Sequence, residues 1–454
     1  MKIDSELAGL WGSLTGEALD PGVVAVTGNE SVLPGPFRVA AAASASVAAT
    51  TLAAAELLRL RGIDPGVVSV DARHAAAAFG SERYLRVDGG SPGSVWSSVS
   101  GDYRAADGWV RLHCNYPHHA TAVARALGVP EDKAAVAEAV AGRDSWDVQE
   151  AVIAAGGAAA AMRSRADWLA SPPGAALAGL PLAELTPIGS APPRDLPGAD
   201  RPLGGVRVLE LTHVIAGPVA GRTLAAHGAD VLHIGAAHLP TVAPLVVDTG
   251  MGKRSAFVDL RTESGRDRLW ELIAQADVLI QSFRPDSLAR RGFGPAELAA
   301  ARPGIVVVDL NAYGWAGPWA RRRGFDSLVQ MATGIADEGA RVAGVDEPRA
   351  LPVQALDHAT GWLAAAVAMT ALRRRATEGG SWHARLALAR TGQWLDSLGR
   401  KDPGHAEADI TDLLTQTESQ FGTLTHVRVP GTLPAANPQW THGSHRPGTD
   451  PAAW

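Results

Sequence analysis

The sequence predicts an α/β protein organised around a parallel sheet, and two observations carry that reading. From Leu203 to about Leu395, short β-branched runs alternate with helical stretches, which is the pattern of strand–helix–strand units with short connections. The 454 residues are 46% hydrophobic and 19% charged, enough apolar material for two or three domains.

The elements follow in order. Val206-Arg207-Val208-Leu209-Glu210-Leu211 reads as a buried strand. Pro218 suits the first turn of a helix over 219–227, where its missing N–H has no partner to lose, and Gly228 stops that helix. Asp230 to Ile234 is a second strand and Ala256 to Leu260 a third. A helix over 263–275 leads to a strand over 278–281, and Ile305 to Leu310 is the fifth. Such a series implies right-handed crossovers with helices on both faces. Ligands on these sheets sit beyond the carboxyl ends of the strands, so the loops Thr212–Gly217, Ser282–Arg291 and Asn311–Gly317 are where a site is expected.

Around this middle block (203–395) stand a first block (1–186), a Pro/Gly-dense linker (187–202) and a polar, partly irregular extension (396–454) expected to drape over another surface or hang loose. The longest apolar run, Val39 to Leu60, is mostly alanine with Ser44, Ser46, Thr50, Thr51 and Glu56 along it. It is too weakly hydrophobic for a membrane span and reads as a buried helix. Met1-Lys2-Ile3-Asp4 lacks an apolar signal core, so the expected compartment is the cytoplasm with no membrane association. A repeat links the first two blocks. Ala53 to Gly62 followed by Val67 to Asp71 resembles Thr370 to Arg375 followed by Gly379-Gly380 and Trp382 to Leu388. Registering Arg61 on Arg375 sets Asp357 opposite Ala43, so only the second copy holds a carboxylate there.

Several function classes lose ground at once. A formal charge of −6 argues against nucleic acid as a partner. The lone Cys114 excludes an intrachain disulfide and a thiolate-only metal cage. Thr212 to Pro218 is not G-x-G-x-x-G, and Gly235 stands where a dinucleotide site has an acidic residue. His113, Cys114, His118 and His119 match no zinc spacing and read as packing or surface histidines. A serine hydrolase needs G-x-S-x-G on a strand-to-helix elbow, and the string Gly89 to Gly93 leads into no helical pattern. Asp357, at the start of a long apolar helix (362–372), has two readings. It is a first-turn residue stabilising the helix, or a carboxylate nucleophile poised by backbone amides.

Taken together, the middle block resembles the family III CoA-transferases, relatives of the 2-methylacyl-CoA racemases. The resemblance rests on Leu203 to Leu209, His213-Val214-Ile215-Ala216-Gly217-Pro218, Leu224 to Val231 and Gly252-Lys253-Arg254-Ser255. It continues through Asp277 to Ile280, Phe283-Arg284-Pro285, Tyr313-Gly314, Gly324-Phe325-Asp326 and Asp357 to Arg375. It implies a Rossmann-like parallel-sheet large domain with a smaller α+β domain. The first block looks like a partial copy of the family's carboxyl half, with Gly101 to Trp109 opening the small domain.

By that resemblance Asp357 is the catalytic residue, attacking an acyl-CoA thioester and passing CoA to a carboxylic acid through mixed anhydrides and an aspartyl-CoA thioester. Val214, Ala216, Lys253, Arg254, Phe283, Arg290 and Tyr313 are the implied CoA contacts. Coenzyme A is substrate and product, with no prosthetic group and no metal, and the expected assembly is a homodimer. The sequence departs from the family at Gly235-Ala236-Ala237, where an acidic residue is usual. The glycine-rich loop of some members is missing from the second block, with Gly89-Gly90-Ser91-Pro92-Gly93 in the first. Phe325 occupies the position of a racemase histidine and cannot accept a proton, which favours transfer over racemisation. A non-catalytic CoA-binding role is the third alternative.

Overall fold

The computed structural model describes residues 3–29, 32–404 and 408–454, so the opening Met1 and Lys2 lie outside it. Seven strands form the main sheet, in the spatial order Lys253–Phe257, Asp230–Gly235, Arg207–Leu211, Val278–Gln281, Val306–Asn311, Ser381–Ala387, Ala183–Gly189. Every neighbouring pair is parallel except the last. The strand order reverses between Arg207–Leu211 and Val278–Gln281, and the loops after these two strands open the crevice at which such sheets bind ligands.

Strand alternation builds two cores. Val208, Ile280, Val306 and Val308 point into one, while Leu209, Leu279 and Val307 point into the other with Leu269, Leu272 and Phe293. This period of two is why the strands read as continuous apolar runs: both faces are covered. The third strand lies earlier than expected, at Lys253–Phe257 rather than 256–260. Gly252 turns at φ 70° and delivers the strand directly. Asp259 and Thr262 then make the turn into the next helix, Thr262 Oγ1 accepting from Gly265 N–H.

Helix Val39–Leu60 is buried along nearly its whole length. It packs on Ala355–Thr377, with Thr50 Oγ1 donating to the Trp362 carbonyl at 2.8 Å. Alanines at the contact let the backbones approach. Each helix is followed by a strand and at once by another helix, Val68–Asp71 with Ala72–Ala78 and Ser381–Ala387 with Leu388–Ser397. The two packed helices are thus followed by the same strand–helix succession within a single chain.

The smaller unit of the first block joins Gly101–Arg104, Trp109–Leu112 and Ala159–Ala161 in an antiparallel sheet, covered by Pro117–Leu127 and Ser145–Ala154. The boundary expected at 186/187 falls inside the strand Ala183–Gly189. Pro187 is tolerated there because this is the sheet's edge, where a missing N–H breaks little. The carboxyl-terminal extension is ordered by pairing. Leu414–Ser419 and Gly422–Val427 form a sheet with Arg86–Val87 of the first block. Beyond them the tail drapes over the middle block, Trp440 Nε1 donating to Arg222 O at 2.8 Å and Trp454 Nε1 to Leu272 O at 2.9 Å.

Candidate active site

Two helix starts meet at Asp357. Helix Ala216–Ala226 begins after Ile215, which supplies no side-chain cap, so its first amides are free to receive an anion. Asp357, 7% exposed in the first turn of Ala355–Thr377, accepts a hydrogen bond from the Ala216 N–H. The aspartate thus does not cap its own helix. That task falls to Asp326, whose Oδ2 accepts from the Asp357 backbone N–H at 2.9 Å and whose carboxylate also accepts from Leu356 N–H.

Gly361 sets how closely the two helices approach. A Cβ there would fall 2.5 Å from the Ala216 carbonyl oxygen and 2.8 Å from Val219 Cβ. In an open helix, Gly→Ala stabilises by about 0.5–1 kcal/mol. Gly361→Ala is expected to destabilise by about 1–3 kcal/mol instead, and to move the Ala216 amide off Asp357. Thermal melts beside steady-state kinetics check this, and unchanged turnover in a well-folded variant would contradict it. Val214, just before the same helix, holds φ 72°. A β-branched side chain in that region is strained, and such strain clusters at ligand sites.

The surroundings of Asp357 oppose its negative charge. Burial pushes its carboxyl well above the ordinary range, Asp326 and Glu82 push further, and the Ala216 N–H pulls back. Burial also raises Asp326, to about 6, against the hydrogen bonds it accepts. Burial acts to raise Glu82 too, but His358 Nε2, 3.1 Å from Glu82 Oε2, outweighs it and leaves that carboxyl below its usual range.

Asp357 borders a cavity of about 400 Å³, which it shares with Val214, Ala216 and Phe283. The structure brings these four expected residues together and leaves the other four elsewhere. Lys253 is buried, its ammonium 2.7 Å from both Glu210 Oε2 and the Pro218 carbonyl, in a smaller pocket that Arg254 also lines. Arg254 pairs with Asp230 at 2.9 Å. Arg290 is exposed on a short 3₁₀ turn away from the cavity. Tyr313 is buried edge-on against Trp319, ring centroids 5.0 Å apart.

The cations at the large cavity are Arg284, Arg322 and Arg323. Arg322 is occupied by Glu150 and by the Trp319 ring, 4.0 Å away. Arg323 has no carboxylate partner among the described residues, and burial together with neighbouring Arg284 lowers its pKa. Arg284 and Arg323, neighbours without a carboxylate partner among the described residues, invite a bidentate anion. Arg284 stands in the Phe-Arg-Pro motif, but nothing in the sequence marked it above Arg290.

The first block completes the site. Tyr116, His118 and His119 line the large cavity, and His113 stacks on Phe325 with centroids 3.6 Å apart and planes 1° from parallel. The histidine cluster therefore packs as aromatic rings over the site. On the other side Asp357 borders a second cavity of about 350 Å³, lined by Glu82, Ser91, Pro92 and Gly93 among others. The glycine-containing loop of the first block is thus folded next to the aspartate of the second.

Residues 203–398 match the model of CoA-transferase family III. Among characterised proteins, an acetyl-coenzyme A transferase of Hypoxylon pulicicidum is 35% identical over 215 residues, 46% of this chain and 36% of that protein. An acyl-CoA transferase of Gibberella moniliformis is 28% identical over 403 residues, 78% of this chain and 70% of that protein. A probable fatty acyl-CoA transferase of Mycobacterium tuberculosis is 33% identical over 192 residues, 39% of this chain and 48% of that protein. The chain thus spans half or less of the length of the first and third of these relatives. The similarity to CoA-transferase family III thus lies in residues 203–398, less than half of the chain.

Proposed function

We propose that the protein is an acyl-CoA:carboxylate CoA-transferase with Asp357 as its nucleophile. One observation carries this reading: a buried carboxylate, held by the first amide of a second helix, faces a cavity where Arg284 and Arg323 have no carboxylate partner among the described residues. Coenzyme A offers such a cavity three phosphate groups at one end and a thioester at the other. Arg284 and Arg323 would hold phosphate, Phe283 would pack on the adenine side, and the strained Val214 loop would flank the pantetheine arm.

An Asp357 oxygen attacks the thioester carbonyl, the C–S bond breaks, and CoA leaves as thiolate from a mixed anhydride. The thiolate attacks the aspartyl carbonyl, releasing the donor acid and leaving an Asp357-CoA thioester. An acceptor carboxylate attacks that thioester, CoA leaves again, and its return to the acceptor carbonyl frees Asp357. The chain's contribution is positional and electrostatic. The Ala216 N–H faces the oxygen on which charge develops, and burial keeps out the water that would hydrolyse an anhydride. Raised affinity for a proton makes Asp357 a stronger nucleophile once ionised, and approach of the Arg284–Arg323 pair to a bound polyanion leaves that pair neutralised.

The racemase alternative needs a base where Phe325 stands. His113 lies against that ring, but burial first, then the like charges of His119 and Arg111, lower it to about 3. It therefore takes up no proton at neutral pH. Intact-mass spectrometry after incubation with a panel of acyl-CoAs tests the reading. A CoA- or acyl-sized adduct on the wild-type chain is expected. Measurable CoA binding with no adduct from any donor would overturn it.

A further inference from the structure

The amino end of the main sheet, opposite the loops that form the catalytic cavity, gathers four arginines around one carboxylate. Asp277, buried just before the strand Val278–Gln281, lies 3.0 Å from Arg375 Nη1, 3.1 Å from Arg194 Nη2 and 3.7 Å from Arg302 Nη2. Its second oxygen accepts from the Arg207 backbone N–H at 3.1 Å. Arg375 is fully buried, whereas Arg194, Arg207 and Arg302 reach solvent. Asp195 and Glu378, acids next to these groups along the chain, are exposed and pair with none of the four among the described residues. Burial first, then the charge of Arg194, with Arg207 adding to it, lowers the Arg302 pKa against the pull of Asp277. The three guanidiniums that reach solvent are nonetheless held in place. Arg302 Nε donates to the Ala276 carbonyl at 2.9 Å and Arg207 Nη1 to Gln275 Oε1 at 3.1 Å. Arg194 stands on the linker, which is tied to the end of helix Ala355–Thr377 by Arg194 N–H to Arg375 O at 3.3 Å and Gly380 N–H to Ala191 O at 2.9 Å. Gly379, at φ 78°, permits that approach, since a Cβ there would lie 2.3 Å from the Ala191 carbonyl oxygen.

We infer that this cluster is an anion site, separate from the catalytic cavity, that takes a phosphate dianion, either free or as the terminal group of a nucleotide. Four cations sharing one anion leave an excess of positive charge at the rim, and a dianion beside Asp277 offsets three of the four. Guanidinium forks match the oxygens of phosphate in pairs, and three forks from three directions suit a tetrahedral group better than a planar carboxylate. Because neutral carbonyl and amide oxygens already fix Arg302 and Arg207, little side-chain freedom is left to lose on binding. Arg194 comes from the linker between the first and middle blocks, while Arg207 and Arg302 adjoin strands of the sheet. The bound anion therefore fastens the linker to the sheet, and its effect falls on stability rather than turnover, since a ligand of the folded state alone stabilises by mass action.

Thermal melts and isothermal titration of the full chain with inorganic phosphate, at an ionic strength held constant with potassium chloride, test this. The wild type is expected to gain Tm as phosphate rises. Arg284→Ala/Arg323→Ala, which removes the cation pair of the catalytic cavity, is expected to gain as much. Arg194→Ala/Arg302→Ala is expected to bind phosphate at least tenfold more weakly while its Kd for CoA stays within about twofold. Arg375 still pairs with Asp277 in that variant; should it fail to fold, Arg194→Ala on the linker carries the same comparison, with a loss of at least about threefold. Adenosine monophosphate, titrated into the Arg284→Ala/Arg323→Ala chain, separates the two sources. Tighter binding than inorganic phosphate assigns the site to a nucleotide, and equal or weaker binding assigns it to the free ion. A Tm gain that chloride alone reproduces, or phosphate affinity unchanged by loss of Arg194 and Arg302, would overturn the inference. So would a gain that disappears with Arg284 and Arg323, which would place the anion in the catalytic cavity.

Discussion

Asp357→Asn is expected to lower CoA transfer at least a thousand-fold and to remove the covalent adduct, while making the protein more stable as pH rises beyond the ordinary carboxylate range. Loss of a nucleophile commonly costs that much or more, because no neighbouring group takes over the covalent step. The stability gain follows from linkage. Burial, then Asp326 and Glu82, raise the Asp357 carboxyl above its ordinary value, so between the two values the folded state binds more protons than the unfolded chain. Stability then falls as pH rises through that window. Asparagine keeps an oxygen for the Ala216 N–H and carries no charge to repel Asp326 or Glu82. Thermal melts from pH 5 to 8 should show a flatter profile and a higher Tm at the upper end. A variant that loses activity and stability together would mean that Asp357 serves the fold instead.

The second large effect is expected at the mouth of the main cavity. Arg284→Ala/Arg323→Ala should raise the Kd for CoA and the KM for acyl-CoA by at least about a hundredfold, since each charge-assisted bond to phosphate contributes about 1.5–3 kcal/mol. Affinity in the wild type should fall with added salt, and the variant should lose most of that dependence. The effect should sit in KM rather than kcat, because the phosphates are remote from the reacting carbonyl. Arg290→Ala, on an exposed turn off the cavity, is the contrasting substitution, expected to leave KM within about twofold. A hundredfold effect at Arg290 and none at Arg284 or Arg323 would reverse the assignment.

Much of the middle block was legible because parallel strands buried on both faces are written as short β-branched runs. The strand 278–281 lies where it was expected, and the three loops picked out at the strand ends all contribute residues to the large cavity. The strand at Lys253–Phe257 was misplaced because Val258-Asp259-Leu260 is as apolar as a strand end, while the Asp259–Thr262 turn that claims it depends on side-chain caps. Lys253, Arg254, Arg290 and Tyr313 show the limit of motif matching for contacts. A lysine reads the same in sequence whether it meets phosphate or a buried Glu210, 2.7 Å away.

By itself, the sequence determined the α/β class, the family resemblance and the choice of Asp357, because local pattern and motif spacing encode those. Only the tertiary structure decided what surrounds that aspartate. Asp326 caps its helix across 31 positions of sequence, and Glu82, 276 positions away from His358, joins the cluster from the first block. His113 covers Phe325, and the Ser91–Gly93 loop closes the second cavity. The physical reason is that pKa, burial and cavity shape are set by which groups come within a few ångströms of one another. Here those groups come from both the first and the middle block, and no periodicity or spacing along the chain records how the two pack.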